Sequence, residues 1–178
     1  MKKLLLLSLF ALQVNAQHVY FSAGFDPRNA ILGSSPTNDK PELNYMLEFK
    51  MVGNNNVEIG IGFEEFNRID FNRMYGTIGY RFEALGMVIT PTIEPTLINR
   101  YDNWGGGITY YMKQSFMTIG LGSTLEVPIN DKFGLQFYCG ALPRPDIKMM
   151  YGNDKIVVSG QIKLIYKNYQ KCQKKLLI

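Results

Sequence analysis

Residues 73–97 read RMYGTIGYRFEALGMVITPTIEPTL, and the pattern of this stretch decides the fold. From Met74 the apolar side chains fall on even numbers: Met74, Ile78, Tyr80 and Phe82. After Ala84-Leu85-Gly86 they fall on odd numbers: Met87, Ile89, Pro91, Ile93, Pro95 and Leu97. The other positions hold Arg73, Tyr75, Thr77, Arg81 and Glu83, then Thr90, Thr92, Glu94 and Thr96. Alternation over about ten residues marks a strand with two unlike faces, and such a strand crosses a bilayer when tilted. Two of them joined by a tight turn predict one hairpin of a membrane barrel with an apolar outside and a polar inside.

The same alternation recurs on both sides of this hairpin. It runs through 17–26 (Val19, Phe21, Ala23, Phe25), 42–52 (Leu43, Tyr45, Leu47, Phe49, Met51) and 57–66 (Val57, Ile59, Ile61, Phe63). Further on it runs through 116–129 (Met117, Ile119, Leu121, Leu125, Val127, Ile129), 132–141 (Phe133, Leu135, Phe137, Cys139) and 156–167 (Ile156, Val158, Ile162, Leu164, Tyr166). With the central pair this predicts an all-β fold, an eight-stranded antiparallel up-and-down transmembrane β-barrel. Gly53-Asn54-Asn55, Ala84-Leu85-Gly86 and Asn130-Asp131 are short turns, and they alternate with the connections 27–41, 67–70, 98–115 and 142–155. Short turns at one end and longer loops at the other are the asymmetry of outer-membrane barrels. Pro91 and Pro95 each lack a donor toward the same neighbour, which predicts a bulge or break in one ladder.

Alternation alone leaves a soluble lipocalin-like barrel open, with its apolar face turned inward around a ligand. The aromatic residues weigh against it. Tyr80, Phe82, Phe133 and Tyr166 gather toward the short-turn end of the apolar face, and Phe25, Tyr45, Phe63 and Phe116 toward the other. Two girdles flanking an aliphatic band belong to a membrane barrel.

Residues 1–16, MKKLLLLSLFALQVNA, have the form of a secretory signal peptide: two lysines, an apolar run and a small-residue cleavage site. That leaves 17–169 for the barrel and 170–178 as a basic tail, expected to be disordered. The formal charge of +4 comes from the two ends: residues 17–169 hold 14 basic against 15 acidic residues. A nucleic-acid partner is not expected of such a balance. Cys139 and Cys172 build no disulfide framework.

The pattern resembles the small outer-membrane β-barrel proteins, eight-stranded like the OmpA transmembrane domain and OmpX. Leu142-Pro143-Arg144-Pro145-Asp146-Ile147-Lys148 and the closing strand Gly160-Gln161-Ile162-Lys163-Leu164-Ile165-Tyr166-Lys167 carry the likeness best. It implies residence in the outer-membrane bilayer, assembly by the barrel-insertion machinery, and no catalytic residues or cofactors. It also implies a terminal aromatic as part of the assembly signal. Tyr166 or Tyr169 takes that place, and 170–178 continue past it.

The residues themselves offer little enzyme chemistry. His18 is the sole histidine, so neither a His-based triad nor a His metal cluster can form. Gly105-Gly106-Gly107 precedes a strand-like ITYYM rather than a helix start that could hold phosphate. Glu64 and Glu65 are adjacent in a strand and point to opposite faces. The candidate site is instead an interior charge network of Glu48, Lys50, Glu58, Glu64, Arg73, Arg81, Glu94, Glu126 and Lys163, with Glu83 in the same register. With the hairpin centred on Leu85, Arg73 would face about residue 97, so Arg73–Glu94 is the contact expected there. A filled bore implies a structural or interaction barrel acting through loops 27–41, 98–115 and 142–155. Small-solute transport or ligand binding through a lined bore is the alternative.

Overall fold

The computed structural model describes residues 16–28, 43–66, 71–104, 110–152 and 155–169. Residues 1–15 of the expected signal peptide, the tail 170–178 and most of 27–41 lie outside the described residues. Ala16, at the expected cleavage point, is the first residue of β1.

The strands are β1 (Ala16–Phe25), β2 (Tyr45–Gly53), β3 (Val57–Phe66), β4 (Phe71–Tyr80), β5 (Phe82–Ala84), β6 (Met87–Trp104), β7 (Tyr110–Pro128), β8 (Phe133–Pro143) and β9 (Ile156–Tyr169). Each pairs antiparallel with its sequence neighbour; β9 returns to β1, and β4 and β5 both pair with β6. Since β4 and β5 are one stave interrupted at Arg81, the segments close into an eight-stranded barrel. His18 of β1 pairs with Tyr169 of β9, so both ends of the barrel meet at the short-turn rim.

The faces fall as a membrane barrel requires. Leu47, Ile61, Ile93, Ile119 and Leu164 are exposed on the wall, whereas Glu48, Glu94, Glu126 and Lys163 are buried inside. The soluble alternative with an apolar lumen is thereby overturned. Two positions of the apolar register are covered nonetheless: Val19 and Met51 bury against each other and Phe49. Phe116, expected in the upper girdle, packs instead into the mouth against Phe66, Phe71, Ile98 and Leu142. Its even number places it on the inner face of β7.

The central turn is tighter than a centre on Leu85. Ala84 pairs with Met87, so Leu85 and Gly86 alone make the turn, with φ of 53° and 73°. Positive φ at both central residues is the type I′ hairpin, whose twist matches that of the strands. Leucine is a poor residue for that conformation, and Leu85 is 95% exposed, so its side chain gains nothing in return. Leu85→Asn is expected to stabilise the folded barrel by about 1 kcal/mol, measured by urea titration in lipid vesicles.

The tighter turn sets Arg73 opposite Ile98, one residue beyond the position expected. Pro91 and Pro95 do not disturb the β6–β7 ladder, which passes through Pro91↔Ser123 and Pro95↔Ile119. On the other edge of β6 the ladder skips from Tyr75↔Thr96 to Ile78↔Ile93, and from Gly79↔Thr92 to Phe82↔Ile89. Both gaps lie beside a proline that has no N–H to give.

The connection expected at 98–115 is mostly strand. β6 and β7 stay paired as far as Trp104↔Tyr110, far beyond the reach of their other neighbours. An outward polar ladder marks where the lipid-facing belt stops: Asn99 Nδ2 donates to Asn72 Oδ1 at 2.9 Å, and Ser115 Oγ donates to Asn99 Oδ1 at 2.7 Å. One rung below, the outward residues are Met74, Leu97 and Met117. From Asn99 to Trp104 the hairpin therefore projects by roughly 17 Å, at about 3.4 Å per residue.

The connection at 142–155 also departs from a plain loop. Leu142 and Pro143 extend β8 against β9, and a short helix follows, α1 (Pro145–Tyr151). Pro145 suits the first helical turn, and Gly152 at φ 76° ends the helix, its N–H bonding to Lys148 O. The β7–β8 ladder has stopped by then, at Leu121↔Ala141, and α1 packs against β7.

Candidate functional site

Inward positions of neighbouring strands bring the charged side chains into a connected network. Glu48 of β2 is its centre. Its carboxylate accepts from Ser22 Oγ (2.9 Å), Tyr75 OH (2.8 Å) and Lys163 Nζ (2.6 Å), and lies 3.3 Å from Lys50 Nζ. Lys50 continues to Glu58 at 3.2 Å, and Arg81 joins Glu58 (3.1 Å) to Glu126 (3.2 Å). Lys167 closes this chain on Glu126 at the short-turn end.

Toward the outer end, Arg73 Nε pairs with Glu64, which also accepts from Asn44 Nδ2. Glu94 stands 3.8 Å from Arg73 and accepts from Tyr138 OH at 2.9 Å and Thr92 Oγ1 at 3.3 Å. Glu64, on the strand beside Arg73, is thus its closer partner, and Glu94 the second. Tyrosine rings link the two parts. The Arg73 guanidinium lies 4.5 Å from the Tyr75 ring centre, and Lys163 Nζ 4.9 Å from that of Tyr138.

All nine residues of the expected network face the bore. Glu83 does not belong with them: beyond the break at Arg81 it is exposed at the rim. Lys167, Tyr75, Tyr138 and Ser22 are members that the charged alternation did not single out. Lys167 brings the ion-paired network to five basic members, Lys50, Arg73, Arg81, Lys163 and Lys167, against the five acidic ones, Glu48, Glu58, Glu64, Glu94 and Glu126. Burying charge at this density is tolerable only when each is paired and hydrogen-bonded.

Glycines make room for the crossing side chains. A methyl at Gly62 would overlap the Tyr75 ring, and one at Gly122 or Gly140 would overlap Tyr138. Gly122→Ala is expected to push Tyr138 off Glu94 at a cost of about 1–3 kcal/mol, read from the urea midpoint. Gly86→Asn, at an open turn position, is the control that leaves the network untouched.

An apolar layer closes the outer mouth of the bore: Phe66, Phe71, Ile98 and Leu142, with Phe116. Tyr20, Val52 and Ile165 form a second apolar cluster among the charges toward the short-turn end, on the rungs of Lys50, Glu58 and Glu48. Above the outer layer the Arg144 guanidinium lies 4.4 Å from the Phe71 ring centre and pairs with buried Asp146. Past the outer end of β1, Arg28 pairs with buried Asp26 and donates to Val158 O. The sequence carries a signal for these clusters: the apolar doublets Met51-Val52, Leu97-Ile98 and Leu164-Ile165 each put one apolar side chain inward.

Among the described residues, ion-paired and apolar side chains occupy the bore. The interior void lined by Tyr20, Ser22, Lys50, Glu58, Arg81, Glu126, Gln136 and Ile165 has a volume of about 10 Å³. A much larger surface concavity of about 1090 Å³ is lined mostly by outward-facing residues of the wall, Leu47, Ile61, Leu97, Ile119 and Leu164 among them, and also borders inward positions such as Ser22, Glu48 and Tyr75. His18 lies on the first strand at the short-turn rim, its ring centre 6.2 Å from that of Tyr20. Gly105-Gly106-Gly107 lies outside the described residues. Among the described residues no group of three His, Cys, Asp or Glu is placed to hold a metal ion.

No protein-family model matches the sequence, and no curated protein matches it. Solved structures do match. The N-terminal β-barrel domain of Pseudomonas aeruginosa OprF superimposes with a TM-score of 0.63 at 12% identity, over 86% of this chain and 98% of that one. Ail, the attachment invasion locus protein of Yersinia pestis, gives 0.54 at 11% identity over 85% and 98%. Neisserial surface protein A gives 0.51 at 11% identity over 86% and 96%. Closed backbone pairing, an apolar wall and a charged, filled bore meet the demands of a bilayer, and this chain has the fold of the small eight-stranded outer-membrane β-barrels.

Proposed function

We propose that this chain is a non-enzymatic outer-membrane surface barrel, closed to solutes, that acts through what it presents outside the membrane. The filled bore carries this reading. Each inward carboxylate already has a basic or hydroxyl partner, and an apolar layer fills the outer mouth above them. A solute path would have to break buried ion pairs and displace that layer.

The projecting β6–β7 hairpin and the outer connections are then the working parts. Ail was solved in complex with the heparin analogue sucrose octasulfate, which makes a sulfated glycan the first ligand to test on this outer end. Purified protein in a planar bilayer is expected to show no steady single-channel conductance. Large, stable steps from the folded monomer would transfer the reading to transport. Shortening the hairpin by removing 101–113 is expected to leave barrel folding intact, seen as unchanged heat-modifiable gel mobility, and to abolish any ligand binding measured for the full chain.

A further inference from the structure

The apolar belt is not of one height around the wall. On β3 the outward positions Val57, Ile59, Ile61 and Phe63 are apolar, and Glu65 follows them in the same register. Just before Val57 the turn is polar, with Asn54, Asn55 and Asn56 exposed. On β6 the apolar register runs from Met87 to Leu97. On β7 it runs from Met117 to Val127, with Ser123 as its one polar member. At about 3.4 Å per residue and a tilt of roughly 40°, the belt stands about 16 Å high on β3 and about 26 Å on β6 and β7. The second figure matches the ordinary apolar band of a barrel, about 25 Å, and the first falls well short of it.

One rung of the sheet sets the difference. Glu65 pairs with Asn72, Asn72 with Asn99, and Asn99 with Ser115. The upper edge of the belt from β3 to β7 is therefore a single polar rung. Strands of a closed barrel tilt, so a rung perpendicular to them climbs around the wall. Accordingly β6 and β7 run farther beneath that rung, before their short turns, than β3 does. A carboxylate and amides on the outward face hold water and headgroups at their level, since hydrocarbon gives such groups no partner.

We propose that β3 is the centre of a thin sector of the wall, where the lipid bilayer is drawn thin between Glu65 above and Asn54 below. A bilayer answers a short apolar span by thinning, at a modest cost per ångström. The protein thus has two unlike sides within the membrane plane, with lipid compressed at β3 and of ordinary thickness at β6 and β7. This rests on the reading of the chain as a membrane barrel and goes beyond it.

Single nitroxide labels on the full chain, refolded in dioleoyl phosphatidylcholine nanodiscs, test the sector. They are placed by Glu65→Cys, Asn54→Cys, Ile61→Cys or Ile119→Cys in a Cys139→Ala, Cys172→Ala background. Labels at Ile61 and Ile119 are expected to be relaxed by oxygen and shielded from a water-soluble nickel chelate. Labels at Glu65 and Asn54 are both expected to be relaxed by the chelate. Chelate shielding at Glu65 would overturn the proposal: with oxygen access it means lipid of full thickness, and without oxygen access a protein cover. Chelate access at Ile119 as well would mean a belt equally thin all round, and would reject the two-sided wall while leaving the membrane reading intact. Chelate access at Ile61 would instead overturn the membrane reading, and this proposal with it. Should the labelled chains not fold, Glu65→Leu is expected to raise the urea midpoint in dioleoyl vesicles and to leave it unchanged in dilauroyl ones. An equal shift in both lipids, or none in either, would reject the thin sector.

Discussion

Replacing Glu48 by alanine is expected to destabilise the folded barrel by about 3–5 kcal/mol, the usual cost of stranding a buried charge. Two cations lose their shared partner at once, since Lys163 and Lys50 both point at this carboxylate. The hydroxyls of Ser22 and Tyr75 lose their acceptor in the same step. Urea titration in lipid vesicles measures the effect. Adding Lys163→Met to Glu48→Ala is expected to recover part of the loss, because one stranded charge then disappears. A loss below about 1 kcal/mol for Glu48→Ala would mean that water reaches the two lysines freely, and that the bore is not the sealed interior described above.

The second large effect lies on the other face of the wall. Ile93→Arg is expected to cost about 2–4 kcal/mol in a bilayer, the depth-dependent penalty for a cation near the midplane of a barrel wall. Ile93 is exposed and pairs with Ile78 and Leu121 on the flanking strands, both also exposed. The same change at Ile156, at the outer end of β9, is expected to cost only about 0–1 kcal/mol, since an arginine there reaches the interface. Equal costs at the two positions would remove the lipid belt from where the faces place it. Together the two experiments separate inside from outside, because Glu48 and Leu47 are adjacent in sequence and opposite in environment.

Much of this was legible in the chain by itself. A period of two is a local property, so Met74 to Leu97 disclosed two faces with no knowledge of any neighbour. Turn residues and connection lengths disclosed the up-and-down order and the two unlike ends. The parity of Glu48, Glu58, Glu94 and Lys163 put them on one face, and closure made that face the inside. What only the tertiary structure decided were the relations between strands. Leu85 and Gly86 in the left-handed region set the central register, and so which residue faces Arg73. Stagger around the closed sheet set Arg81 between Glu58 and Glu126, which lie far apart in sequence. Closure also gave Phe66, Phe71, Ile98, Leu142 and Phe116 a common mouth to fill, although the first four fall on the parity of the polar faces and Phe116 reads as a girdle residue of the apolar face. The physical reason is the same throughout. Alternation is written residue by residue into the backbone, whereas partners across a barrel depend on the register of every ladder between them, and no local pattern carries that sum.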